Sequence, residues 1–355
     1  MKIIGLLLAM FISPIALAQD QRFSELLDFY QREKQFNGVV LVATNGSVDF
    51  LAAAGQANRA SNTAIFTDSK FKIASVSKVF TAILILKLIE EKKLMLYQTL
   101  GEILPEYKGS GKDQISIHNL LTYSSGIDNQ LDRAGLIPYQ NWRTLDAFIE
   151  AYCSGDLVYV PGTKSEYGNT EYILLHKIIE KLSGTDYENY LDEIILKPLG
   201  LKNTQVTKAR DINPDLVQSY TYELADQSFY NDEPYYPELY FGSASLYSTA
   251  EDLLRLDQAL FNSEILNPET TAMLLKIHPE LGNTAYGLWG SGGWGTFDEP
   301  FYYRTGGILG STANWIHTTE KGKTIIVLSN TNASKLYAFS EQLYRVSTGK
   351  EWIKE

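Results

Sequence analysis

The stretch Phe71–Lys93, FKIASVSKVFTAILILKLIEEKK, sets Lys78 inside an otherwise apolar run, three residues after Ser75. A buried, unpaired ammonium is costly, so this lysine either reaches solvent or its burial has a chemical use. The apolar spacing predicts a helix from Ser75 to Glu91, which puts Ser75 and Lys78 on adjoining turns of one face, at the end where free backbone N–H groups point outward. Val76, Val79, Phe80, Ile83 and Leu84 would strip water from the ammonium and lower its pKa. The neutral amine could then serve as a base for Ser75, whose alcohol is otherwise a weak nucleophile. A plain helix start at Ser75 and a lysine snorkelling to solvent account for the same residues, and SxxK alone recurs by chance.

The opening MKIIGLLLAMFISPIALAQD has a lysine at position 2, an apolar run from Ile3 to Ile12, a break at Ser13-Pro14 and the small-residue pattern Ala16-Leu17-Ala18. This is the layout of a secretory signal peptide over residues 1–18, cleaved after Ala18. A membrane anchor needs roughly 20 unbroken apolar residues, and no second long apolar run follows. The expectation is an exported protein, periplasmic or secreted, with no integral membrane segment after cleavage. Lys and Arg number 31 against 42 Asp and Glu, a net charge of -11, and no basic stripe marks a nucleic-acid binder. His118, His176, His278 and His317 are scattered singly, without HExxH or a cysteine cluster, so no metal or other cofactor is expected. Cys153 is the single cysteine, which excludes an internal disulfide and reads as a packing residue.

No Ser/Gly/Pro-rich linker or internal repeat divides residues 19–355, which reads as one domain. RFSELLDFYQREK has helical spacing, and NGVVLVATNGSVDFLAAAG reads as two strands joined at Asn45-Gly46. Near the other end PFYYRTGG, STANWIHTT and KTIIVLSNT read as three strands before a helix at LYAFSEQLYRVS. Between them lie helical stretches at Ile117–Leu121, Leu145–Tyr152, Thr170–Leu182, Asp186–Ile195 and Ala250–Phe261. The class is therefore α+β. One antiparallel sheet is built from both chain ends, about 19–65 and 300–355, a helical lobe spans about 66–299, and a ligand cleft lies between them. YTYELADQSFYNDEPYYPELYFGSASLY reads as a long loop whose tyrosines either line the cleft or pack on the body, and YGLWGSGGWGT as a turn at the cleft edge.

Two further stretches bear on Ser75 and Lys78. Tyr167-Gly168-Asn169 precedes an amphipathic helix, and Arg304-Thr305-Gly306-Gly307 ends a strand. Singly they read as a cap and a hairpin. In this order after SVSK, and beside ISIHNLLTYSSGI, YLDEIILKPLGLKNT and GSASLYSTAEDLLRL, they resemble the penicillin-recognising serine hydrolases. That superfamily contains serine beta-lactamases, D-alanyl-D-alanine carboxypeptidases and related esterases. The likeness is closest to the class C beta-lactamase-related branch and runs from Asn37 to Asn330.

The resemblance implies a beta-lactamase/transpeptidase-like fold and a set of roles. Ser75 would attack an acyl carbonyl to form an ester intermediate, while Lys78 and Tyr167 share its proton. Asn169 would orient Lys78 and touch a substrate amide, Thr305 and Gly306 would line the substrate strand, and the N–H groups of Ser75 and Gly307 would form an oxyanion hole. Arg304 departs from the usual Lys or His. Its fork either grips a substrate carboxylate or pairs with a neighbouring acid to organise the cleft. The implied partner is a small-molecule or peptide substrate. The leading function is hydrolysis of an ester or peptide amide, including peptidoglycan-derived or other D-amino-acid peptides. A class C-like beta-lactamase and a noncatalytic penicillin-binding or sensing protein stand as alternatives. Whether Lys78 or Tyr167 is the working base, and the oligomeric state, are left open.

Overall fold

Strand β1 (Gly38–Thr44) is buried along its length except at Thr44, because it has helices on both sides. Val39, Leu41 and Ala43 enter one core and Val40 and Val42 the other, the period-two alternation of a strand that never meets water. These relations come from a computed structural model that describes residues 14–354. The remaining strands of the sheet are β2 (Ser47–Ala54), β3 (Trp289–Ser291), β4 (Phe301–Ile308), β5 (Ser311–Thr318) and β6 (Lys323–Ser329). They lie in the order β3-β4-β5-β6-β1-β2, every neighbour antiparallel. The two chain ends meet where Val40 faces Val327. Asn45 and Gly46 both take positive φ, 47° and 79°, as the tight turn between β1 and β2 requires.

Helices α1 (Pro14–Glu33) and α5 (Leu336–Ser347) cover one face of the sheet, with Phe23, Leu26 and Tyr30 against Phe339 and Leu343. The Tyr30 and Phe339 rings stack with centroids 3.8 Å apart. The other face carries α2 (Ser77–Glu90) and α4 (Ala250–Phe261), with α3 (Thr170–Ser183) behind α2. Residues 77–86 are all buried, which explains why the helix is apolar on every side.

The structure differs from the sequence expectations in several places. The nucleophile stretch opens with a 3₁₀ turn at Ala74–Val76, and the α-helix begins only at Ser77. Asp186–Ile195 divides into a helix at Tyr187–Leu191 and a π turn at Asp192–Leu196. Strand β3 joins the sheet from residues expected in the helical lobe, Trp289 pairing with Tyr303. The stretch from Tyr220 to Tyr247 is not one loop. It forms a hairpin (Tyr220–Glu223 with Ser228–Asn231), a 3₁₀ turn (Pro237–Tyr240), a helical turn (Phe241–Ala244) and a short strand (Leu246–Ser248). Each piece is too short for its periodicity to stand out among the Asn, Asp and Pro residues. The expected signal segment lies for the most part outside the described residues. No described helix is long and apolar enough to cross a membrane.

One polar anchor ties α4 to the back of the sheet. The buried Asp257 carboxylate accepts from Trp315 Nε1 at 2.7 Å, Thr324 Oγ1 at 2.6 Å and His317 Nδ1 at 3.0 Å. Asp257→Ala would strand the indole N–H and the threonine hydroxyl, at a cost on the order of 2–4 kcal/mol. The expected result is a clear drop in Tm with activity per folded molecule retained. An unchanged melt would show that the anchor contributes nothing.

Candidate active site

The site begins with strained backbone. Ala74, fully buried, has φ of 46°, the left-handed region that costs an L-residue roughly 1–2 kcal/mol. The kink swings the chain from a short strand (Phe71–Lys72) into the turn that carries Ser75. Ser77 pins it, donating through Oγ to the Ala74 carbonyl at 2.7 Å and accepting from Leu246 N at 3.1 Å. Strand β4 is pressed against the same turn. A Cβ at Gly306 would stand 2.4 Å from the Ile73 carbonyl oxygen and 3.0 Å from Ser75 N, so only glycine fits.

Lys78 has no exposed surface. Its Nζ lies 2.7 Å from Asn169 Oδ1, 3.0 Å from the Ser243 carbonyl, 3.1 Å from the Tyr167 hydroxyl and 3.2 Å from Ser75 Oγ. The Ser243 carbonyl reaches it because Gly242 packs tightly, a Cβ there falling 2.9 Å from Thr81 Oγ1. Burial pushes the Lys78 pKa down, as does the charge of Arg304, against an opposing pull from Tyr167.

Tyr167 presents a ring that is 44 % exposed, while its hydroxyl lies 2.7 Å from Ser75 Oγ and 2.9 Å from Arg304 Nη2. Asn169 caps α3 and spends its carboxamide inside the protein. Its oxygen takes Lys78, and its nitrogen donates to Asp132 Oδ1 at 3.0 Å and to the Tyr139 hydroxyl at 3.4 Å. The predicted touch on a substrate amide therefore has no free N–H behind it.

Arg304 corrects the sequence expectation most. Its side chain is completely buried. Nε donates to the Ser75 carbonyl at 2.8 Å, Nη1 to the Tyr123 hydroxyl at 3.0 Å and Nη2 to Tyr167. The guanidinium also lies over the Trp289 ring, 4.6 Å from its centroid. The fork is thus engaged on protein groups rather than open to a substrate carboxylate, and its partners are phenols and a carbonyl rather than an acid. Thr305 and Gly307 are exposed on β4. Because β3 pairs only with residues 301–303, the β4 edge beside them has no strand next to it.

Sequence reasoning placed Ser75, Lys78, Tyr167, Asn169, Arg304, Gly306 and Gly307 near one another, and the structure brings them together. It missed Ser243, Asp132, Tyr123 and Trp289. Two of these sit in stretches already singled out, LLTYSSG and YGLWG, but only packing shows that their rings meet over Arg304. Among the described residues no group of three or more His, Cys, Asp and Glu side chains could hold a metal. Chemically, the cluster offers an alcohol within reach of two proton acceptors, beside a strand edge with backbone N–H groups.

This fold and cluster are those of the serine beta-lactamase and transpeptidase superfamily. The chain belongs to the Beta-lactamase family, whose model matches residues 20–349, and is by class a beta-lactamase-related serine hydrolase. It is 29% identical over 332 residues to penicillin-binding protein 4* of Bacillus subtilis (strain 168), covering 86% of this chain and 70% of that one. It is 25% identical over 270 residues to the teichoic acid D-alanine hydrolase of Staphylococcus aureus, covering 76% and 64% respectively. The crystal structure of D-amino acid amidase from Ochrobactrum anthropi SV3 has the same fold, with a TM-score of 0.80 at 22% identity, covering 95% of this chain and 98% of that one.

The close fit at Gly306 yields a test. In Gly306→Ala the methyl group would push β4 away from Ser75 N, opening the space where an oxyanion would sit. Loss of such a donor typically costs about 10²–10³ in turnover. kcat should fall by that order while the far-UV circular dichroism stays native. Full activity in this variant would mean that β4 does not border the reacting centre.

Proposed function

We propose that the protein hydrolyses esters or amides through an acyl-enzyme on Ser75. The observation that carries this reading is the contact of Ser75 Oγ with both the Tyr167 hydroxyl at 2.7 Å and the Lys78 ammonium at 3.2 Å. Oγ bonds to the substrate carbonyl carbon as its proton passes to the Tyr167–Lys78 pair, and the carbonyl electrons move onto oxygen, facing the N–H groups of Ser75 and Gly307. Collapse expels the leaving alkoxide or amine, which takes up the proton. Water then repeats the sequence on the ester and frees Ser75.

The charges around the cluster favour a class of substrate. Its two cations, Lys78 and Arg304, have no exposed surface, so neither is free to meet a carboxylate beside the scissile bond. Asp132, in contact with Asn169, is an exposed carboxylate. This favours neutral or amine-bearing acyl groups over beta-lactams and peptides with a terminal carboxylate, and a D-alanyl ester, named in one relative, has that chemistry. An exported enzyme, cleaved after Ala18, would meet such esters at the cell envelope.

A fluorophosphonate probe should add to Ser75, as read by intact mass and peptide mapping, and Ser75→Ala should abolish the adduct. Labelling at a different serine would sink the assignment. Lys78→Ala should slow acylation by about 10²–10⁴, with the fold checked by thermal melt. Across substrates, kcat/KM for D-alanyl esters should exceed that for a matched D-alanyl-D-alanine peptide or a cephalosporin by at least about tenfold, equivalent to about 1.4 kcal/mol. The opposite order would show that a carboxylate is recognised after all.

A further inference from the structure

The hydrogens around Tyr167 can be arranged in two ways. Its oxygen has Arg304 Nη2 at 2.9 Å, Lys78 Nζ at 3.1 Å and Ser75 Oγ at 2.7 Å. Arg304 can only donate. Lys78 commits two N–H groups to Asn169 Oδ1 and the Ser243 carbonyl, which only accept, whether the amine is charged or neutral. In one arrangement Tyr167 is a phenol donating to Ser75, whose own proton points at a neutral Lys78. In the other Tyr167 is a phenolate accepting from all three neighbours, and the Ser75 O–H points at the phenolate. Both use the same number of protons and leave no donor idle. They differ in where the charge lies, and Arg304 contacts Tyr167 but not Lys78.

We propose that Arg304 is a positioning residue that selects the second arrangement, making Tyr167 rather than Lys78 the group that takes the Ser75 proton. This rests on the acyl-enzyme reading above. In the step itself the Ser75 O–H bond breaks toward the Tyr167 oxygen as the Oγ–carbon bond forms, and Tyr167 returns that proton to the leaving oxygen or nitrogen. Lys78 carries its charge throughout.

The surroundings of Arg304 are built to hold it still. Its Nε sits on the carbonyl of the nucleophile itself, Trp289 covers a face, and Tyr123 anchors Nη1. Tyr123 is fully buried with φ of 55°, so the chain tolerates a strained backbone at the residue that sets a phenol against this guanidinium. A lysine at 304 would supply charge without the three-way fork.

The balance at Tyr167 agrees with this placement. Burial pushes the phenol up, but the charges of Arg304 and Lys78, with hydrogen bonds from Ser75 and Lys78, hold it at about 8. The other ionisable groups nearby are the Tyr123 and Tyr172 phenols, the Asp132 carboxylate on Asn169, and Glu171. Glu171, hydrogen-bonded by Ser125 at 2.7 Å, is raised to about 7 by burial. A base must be unprotonated to act, so acylation should be full above the Tyr167 pKa and fall as pH drops through it. Removing the Arg304 charge should move that limb upward.

The test is the second-order rate of Ser75 acylation by a fluorophosphonate across pH, for wild type, Arg304→Gln, Arg304→Lys and Glu171→Gln. A second measurement reads the near-UV tyrosinate absorbance of wild type minus Tyr167→Phe. The wild-type limb should fall near pH 8, as should the difference spectrum. Arg304→Gln should shift the limb up by about one unit or more, a loss of about tenfold at neutral pH that closes in alkali. Arg304→Lys should recover part of the shift. A limb that stays in place, an equal loss at all pH in a natively melting Arg304→Gln protein, or a limb that follows Glu171→Gln would overturn the proposal. If Arg304→Gln does not fold, a difference spectrum with no tyrosinate below about pH 9 overturns it as well. Absence of any Ser75 adduct would instead defeat the acyl-enzyme reading, while the spectrum still reports on the charge of Tyr167.

Discussion

An ammonium without exposed surface needs acceptors brought to it from elsewhere in the chain. Lys78 draws them from Tyr167 and Asn169 at the start of α3 and from the Ser243 carbonyl in the turn before Leu246. Moving such a group out of water costs several kcal/mol unless its N–H groups are met. The arrangement of the helical lobe follows from meeting them: α3 packs along α2 so that its cap can face the lysine, and Gly242 allows the third segment close enough to offer a carbonyl. The same constraint explains why α2 is apolar on every side although it carries the chemistry at its first turn. A polar neighbour deeper in the helix would compete for these acceptors.

The parts of this fold that rest on local rules were readable from residues alone. The Asn45-Gly46 turn, the strand triplet near the C-terminus and the helices at Ile117–Leu121, Leu145–Tyr152 and Ala250–Phe261 have the bounds that periodicity and capping suggest. Ser116, Thr144 and Thr249 each cap the helix that follows through a side-chain oxygen. What could not be read depends on packing between distant segments. No propensity announces that Ala74 will take a left-handed backbone, because β4 and the Ser77 hydroxyl impose it. Short strands such as Trp289–Ser291 are defined by their partners rather than by their own composition.

The site was legible in the same divided way. Ser75 and Lys78 are three residues apart, so helix geometry nearly places them by itself, and Tyr167-Gly168-Asn169 announces a helix start. Arg304 is different: the sequence displays five donors but not what they face. That its surroundings are Tyr123, Tyr167 and Trp289 depends on four segments converging, and no spacing along the chain encodes this convergence. Asp132 was invisible for a related reason, since an exposed acid on a short helix reads as ordinary surface until its contact with Asn169 is seen.

The pairing of β1 with β6 sets an order in time. A ribosome delivers Gly38–Thr44 long before Lys323–Ser329 exists, so the growing chain holds an apolar strand with one ladder edge unpaired for most of its synthesis. During that interval Ser75 and Lys78 are already made, but β4, which closes the nucleophile turn and supplies Arg304, is not. The active cluster therefore comes into being only as the last sixth of the protein docks, and a nascent or truncated chain carries the nucleophile without the machinery to use it.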